Sequence, residues 1–143
     1  MSTISGLKEG LVGGFFATVV MTIFREPTAR SLPPTAELIA QYTGGDPEEY
    51  HVSSLTLHGL YGIVGGALFS LLFGEHINET SEPETVGLVA GAVYGTVSSL
   101  FGERVVLRHV LGMDLETDES AIFHTGHLIY GLALGAWIGS RHE

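Results

Sequence analysis

Charged residues are spread so unevenly along the chain that four apolar stretches stand out. Between Glu9 and Arg25 lie 15 uncharged residues, 10–24; stretch 50–74 supplies 25, 85–102 supplies 18 and 120–140 supplies 21. A helix that crosses a bilayer needs about 20 mostly apolar residues. Three stretches meet that directly. The first meets it if its helix begins near Ile4 and Lys8 snorkels. A buried helix of a soluble bundle would keep a polar face at 3.6 spacing. The run Gly87-Leu88-Val89-Ala90-Gly91-Ala92-Val93-Tyr94-Gly95-Thr96-Val97 carries no charge on any face. The pattern predicts an all-α integral membrane four-helix bundle, with spans near 4–24, 54–74, 85–102 and 121–140.

The four stretches fall into two matching pairs. At an offset of 77, Gly10-Leu11-Val12-Gly13-Gly14 matches Gly87-Leu88-Val89-Ala90-Gly91, and the match continues through Val20/Val97 and Phe24/Phe101 to Glu26/Glu103. At an offset of 69, His58-x-x-Tyr61-Gly62 matches His127-x-x-Tyr130-Gly131, and Gly66-Ala67 matches Gly135-Ala136. Two tandem helical hairpins are expected, 4–75 and 85–140. Each crosses the membrane twice, so they form a parallel internal repeat about a pseudo-two-fold axis along the membrane normal. Glycines recur at four-residue steps (Gly10/Gly14, Gly62/Gly66, Gly87/Gly91/Gly95, Gly131/Gly135/Gly139). Such stripes let helix backbones approach closely in lipid. They serve either the bundle or a dimer interface.

The connection 25–53 is acidic. Within it, Thr35 is placed to cap a short interfacial helix that ends at Gly44-Gly45. The third span is expected to run on through Glu103-Arg104-Val105-Val106-Leu107-Arg108-His109 and stop at Gly112. The N-terminus lacks a basic n-region, and no Ala-x-Ala site follows the first apolar run, so that span is expected to be retained.

Composition narrows the class. Charged residues make up 15% of the chain against roughly 25% in ordinary soluble domains, and mean hydropathy is +0.32. Six Lys and Arg are too few for a nucleic-acid binder. The absence of cysteine excludes thiol catalysis, thiolate metal sites and disulfides. The net charge of −10 sits in the loops. With Lys8 the sole lysine, this suggests a salt-loving archaeal source. Arg25, Arg30, Arg104 and Arg108 lie at one face, to pair with Glu26 and Glu103, contact lipid phosphates or mark topology. Against Lys8 and Arg141 at the other face, they put both termini outside.

Ionisable residues inside spans are expensive and are read as functional by default. Glu26 and Glu103 fall at the ends of spans one and three. His58 and His127 fall a turn or two inside spans two and four, with His124 on a neighbouring part of the last span's face. All point to one membrane face. Two imidazoles could ligate a haem iron, and two His with two Glu could hold a divalent metal such as zinc or iron. A His beside a carboxylate could pass protons. Or each His simply bonds a neighbouring helix, a carboxylate or a hydroxyl of Tyr61 or Tyr130, locking the bundle. No Gly-x-Ser-x-Gly, His-Glu-x-x-His or phosphate-loop motif is present, and nothing points to catalysis.

Gly10-Leu11-Val12-Gly13-Gly14, Glu26 and Leu32-Pro33-Pro34, with residues 87–92 and Phe123-x-x-Gly126-His127-Leu128, resemble the YagU-like inner-membrane family. The likeness covers most of the chain through short, glycine-rich motifs, and this chain is shorter and more acidic. It implies a multi-pass membrane protein; the family has no established biochemical activity, although acid tolerance has been suggested for a bacterial member. The expected role is a structural or accessory membrane component that self-associates or joins other membrane subunits. The alternatives are a haem- or metal-binding protein and a small transporter or proton-conducting module.

Overall fold

A computed structural model describes residues 2–29 and 32–141. The described chain is all-helical. Helix α1 spans Thr3–Thr28, α2 Pro34–Thr43, α3 His51–Glu79, α4 Pro83–Phe101 and α5 Thr117–Gly139. A 3-10 turn, Pro47–Tyr50, leads into α3, and a π-helix, Gly102–Val110, continues α4. Four of these helical runs are long and apolar enough to cross a membrane. That is compatible with a membrane location.

Local chemistry explains the ends. The Ser2 side chain accepts from the Ser5 N–H and caps α1. Pro83 opens α4 at a position that has no N–H to satisfy. Gly112, at φ +65°, turns the chain out of the π-helix. Thr35 corrects the sequence expectation. It is not the cap of α2 but lies in its first turn, donating to the Ser54 carbonyl at 2.8 Å. Pro34 presets the helical φ, so α2 starts without a capping side chain. The helix packs on α3 with Ala36 fully buried, and Gly44 ends it.

The helices meet through small residues. A Cβ on Gly14 would strike the Gly62 carbonyl and lie 3.0 Å from the Gly66 Cα. On the other pair, a Cβ on Gly91 would strike the Gly131 carbonyl and lie 3.0 Å from the Gly135 Cα. Thus α1 lies backbone to backbone against α3, and α4 against α5. Between the pairs, Gly13 receives Trp137 and Leu134, and Met21 lies over Gly126. Tyr94 meets Phe69 edge-on, with ring centroids 5.2 Å apart. The Tyr94 hydroxyl donates to the Gly65 carbonyl at 2.8 Å, and the Tyr130 hydroxyl to the Gly62 carbonyl at 2.6 Å.

Large apolar side chains point the other way. Phe15, Leu72, Val93 and Phe101 are each more than half exposed, and Val64, Val89 and Val97 behave alike. Buried positions on α4 are Gly87, Gly91, Gly95 and Ser99. Ala17, Phe69, Leu134, Ile77 and Ile138 pack into one buried apolar cluster, with Ile77 and Ile138 close to the ends of α3 and α5. At the end carrying the chain termini, the Trp137 indole N–H donates to Glu9 at 3.1 Å, and Arg141 stacks over the ring at 4.1 Å.

Candidate functional site

The polar groups collect at the opposite end, where α1 and α4 finish and α3 and α5 begin. Glu103, at the start of the π-helix, meets His124, with Oε2 2.6 Å from Nε2. The Ser120 hydroxyl donates to Glu103 Oε1 at 2.6 Å, and His124 Nδ1 lies 2.7 Å from Ser99 Oγ. Ser99 is fully buried. Spacing builds this cluster: Ser99 and Glu103 are four apart, as are Ser120 and His124, so each pair shares a helix face. The two faces oppose one another.

Donor counting constrains the protons. Ser99 donates its single hydroxyl proton to the Thr96 carbonyl at 2.8 Å. Nδ1 of His124 meets the same hydroxyl oxygen while Nε2 meets Glu103, so both ring nitrogens are engaged. The hydroxyl is thereby held by its own helix and offers no nucleophile.

The two glutamates that the repeat relates find different kinds of partner. Glu103 takes His124, not His127. Glu26 lies 3.4 Å from His51 and 3.5 Å from Arg25, not on His58. His127 instead turns its Nδ1–H onto the Phe123 carbonyl of its own helix, at 2.9 Å, with the Phe123 ring 4.4 Å from the imidazole. His58 makes no hydrogen bond to a described residue; it sits within electrostatic range of His127 and Arg25. Tyr130 bonds backbone rather than a histidine, and Tyr61 faces outward. Arg108 pairs with Asp114 at 2.8 Å. The Arg104 carbonyl accepts from His109 Nδ1 at 2.6 Å. Arg30 lies outside the described residues.

Among the described residues, no three His, Asp or Glu side chains converge as a metal site would require. His58, His127, Glu26 and Glu103 therefore do not form one joint centre. Ser99 and Ser120 were not singled out from the sequence, although their four-residue spacing to Glu103 and His124 was the available signal. A shallow pocket beside this end is lined by Arg25, Leu32, Met113, Glu119, Ile122 and Phe123.

The class that fold and site define is a helical protein with four potential spans and a polar latch at one end. No family model, curated protein or solved structure matches the chain.

Proposed function

We propose that this chain is a small four-span integral membrane protein made of two tandem hairpins. On this reading it is a structural or accessory component that self-associates or joins other membrane subunits. The packing carries the reading: glycine-lined helix contacts around a small apolar core, with many other large aliphatic and aromatic side chains outside. In water an apolar exterior of that extent would drive aggregation. In hydrocarbon it is the surface the solvent requires, and small residues are what tight helix contacts need.

The duplication is supported by equivalent crossings. Gly14 meets Gly62 and Gly66, and Gly91 meets Gly131 and Gly135, positions related by the same offsets of 77 and 69. The resemblance to the YagU-like family agrees with this architecture and adds no activity. Conduction is a weaker reading, because Ala17, Phe69, Leu134, Ile77 and Ile138 fill the bundle between the polar latch and the opposite end. The acidic loops suit a concentrated-salt environment, and the basic residues near the latch favour the cytoplasmic side for that end.

The absence of native cysteine makes the test direct. Single cysteines at Ser2, Ser140 and Asp46 are labelled in sealed vesicles with a membrane-impermeant maleimide. Ser2 and Ser140 should react from one side and Asp46 from the other, with the protein retained in membranes after alkaline carbonate. Carbonate release, or termini on opposite sides, overturns the four-span reading. A detergent-solubilised chain that is monomeric and purifies without another membrane subunit overturns the accessory role.

A further inference from the structure

We infer that Arg104, Arg108 and His109, gathered on one face of the π-helix, form a binding site for the phosphate of an anionic phospholipid headgroup. This rests on the four-span reading, which sets the level at which the segment lies. Helix α4 has 19 residues, about 28 Å at 1.5 Å per residue, close to the roughly 30 Å of a hydrocarbon core. The π-helix that continues it, Gly102–Val110, therefore begins where headgroups begin. Its winding assembles the face. A π-helix bonds i to i+5, as the Leu111 N–H does to the Val106 carbonyl at 3.0 Å. Residues four and five ahead then both return over the first. In an α-helix, positions 104 and 109 would stand about 140° apart. Here the His109 Nδ1–H donates to the Arg104 carbonyl at 2.6 Å, and Arg108 precedes it in the same turn. The inward side is fixed, with Leu107 buried and Glu103 bound to His124 and Ser120. The latch thus holds the basic face outward.

The donors on that face are available. Arg104 is exposed, and its guanidinium makes no hydrogen bond or ion pair to a described residue. Arg108 is exposed too and gives only Nε to Asp114, at 2.8 Å, which leaves both Nη groups for a phosphate. His109 keeps Nε2. Arginine forks match phosphate oxygens in pairs of hydrogen bonds. Two guanidiniums against one carboxylate leave the face positive, and acidic residues farther than about 8 Å are screened at physiological salt. Val105 and Val110, 41% and 44% exposed, add apolar surface beside the cations. A segment that mixes the two lies at the boundary between acyl chains and headgroups, which favours a lipid over a free anion.

The test is native mass spectrometry of the detergent-purified full chain, offered phosphatidylglycerol, phosphatidylcholine with the same acyl chains, or inorganic phosphate. The wild type should retain one phosphatidylglycerol at least about tenfold more tightly than phosphatidylcholine. Arg104→Gln and Arg108→Gln alter exposed side chains, so the fold should persist, checked by helical circular dichroism. Each should weaken that retention about fivefold, and the double variant should erase the preference. Arg141→Gln removes the same charge at the far end and should leave it unchanged. The inference is overturned if the two lipids bind alike, if the double variant keeps the preference, or if Arg141→Gln loses as much. Inorganic phosphate held as tightly as the lipid would also overturn it, since the site would then be one for a free anion. Failure here is separable from failure of the membrane reading. A chain that stays in membranes after alkaline carbonate yet shows no lipid preference refutes the lipid site alone.

Discussion

Replacing Gly131 by alanine adds a single methyl group where the fold has no room for one. The new Cβ would strike the Gly91 carbonyl and sit 3.0 Å from the Gly95 Cα. Both obstacles are backbone, so no side chain can swing aside, and α4 and α5 must move apart. Over-packing a tight interior costs about 1–3 kcal/mol, and a rigid backbone neighbour puts this site at about 3 kcal/mol. Alanine returns about 0.5–1 kcal/mol through its better helix propensity. The net expectation is a loss of about 2 kcal/mol. Gly59→Ala is the control. It lies on α3 with no atom within 4 Å of its added Cβ, so only the gain of about 0.5–1 kcal/mol remains. The two variants should differ by about 3 kcal/mol in reversible unfolding by denaturing detergent, followed by helical circular dichroism. If Gly131→Ala unfolds with Gly59→Ala, the glycine stripe is not the contact surface, and the close-packed arrangement of α4 on α5 is wrong.

Other measurements test other parts of the structure. If the hairpins are duplicates, Gly14→Ala and Gly91→Ala should destabilise to within about 1 kcal/mol of each other, since each meets a carbonyl at equivalent depth. Tyr130→Phe removes the bond to Gly62 and should lower stability by about 1 kcal/mol in the same assay. A double-mutant cycle with Glu103→Gln and His124→Gln should give a coupling of about 2 kcal/mol, and a value near zero would mean that the latch does not hold. Arg108→Ala breaks a pair whose side chains are more than half exposed. It should change stability by no more than about 0.5 kcal/mol.

The helices were legible because a charge in hydrocarbon is costly, so charge-free runs of span length announce themselves. The partners of the polar residues were not. Repeat symmetry puts Glu103 and His127 towards one membrane face without naming the partner of either, and the antiparallel packing of α4 on α5 sets the register. Gly95 lies against the His127 carbonyl, and moving from Gly95 towards Glu103 on α4 means moving back towards Ser120 on α5. The glycine stripes therefore held the information that brings His124 and Ser120 to Glu103. The π-helix was expected only as a helical continuation, since an extra residue per turn leaves no clear periodic mark over nine residues. Thr35 misled because threonine before a helical run usually caps it, whereas here the two prolines start the helix.

The glycine-lined contacts also change what holding the bundle together demands. A spanning helix satisfies its own backbone hydrogen bonds on entering lipid, so most backbone freedom is surrendered before the helices meet. Glycine and alanine have no rotamers to lose, while burying a long side chain gives up as much as about 2 kcal/mol of conformational entropy. Docking α4 on α5 through Gly87, Gly91, Gly131 and Gly135 therefore orders almost nothing that was still free. On the four-span reading, the large side chains that would lose most, such as Leu72 and Phe101, would keep their motion among the lipid chains. Association here runs on contact alone, so modest dispersion forces suffice to hold it, and one misplaced methyl group is enough to undo it.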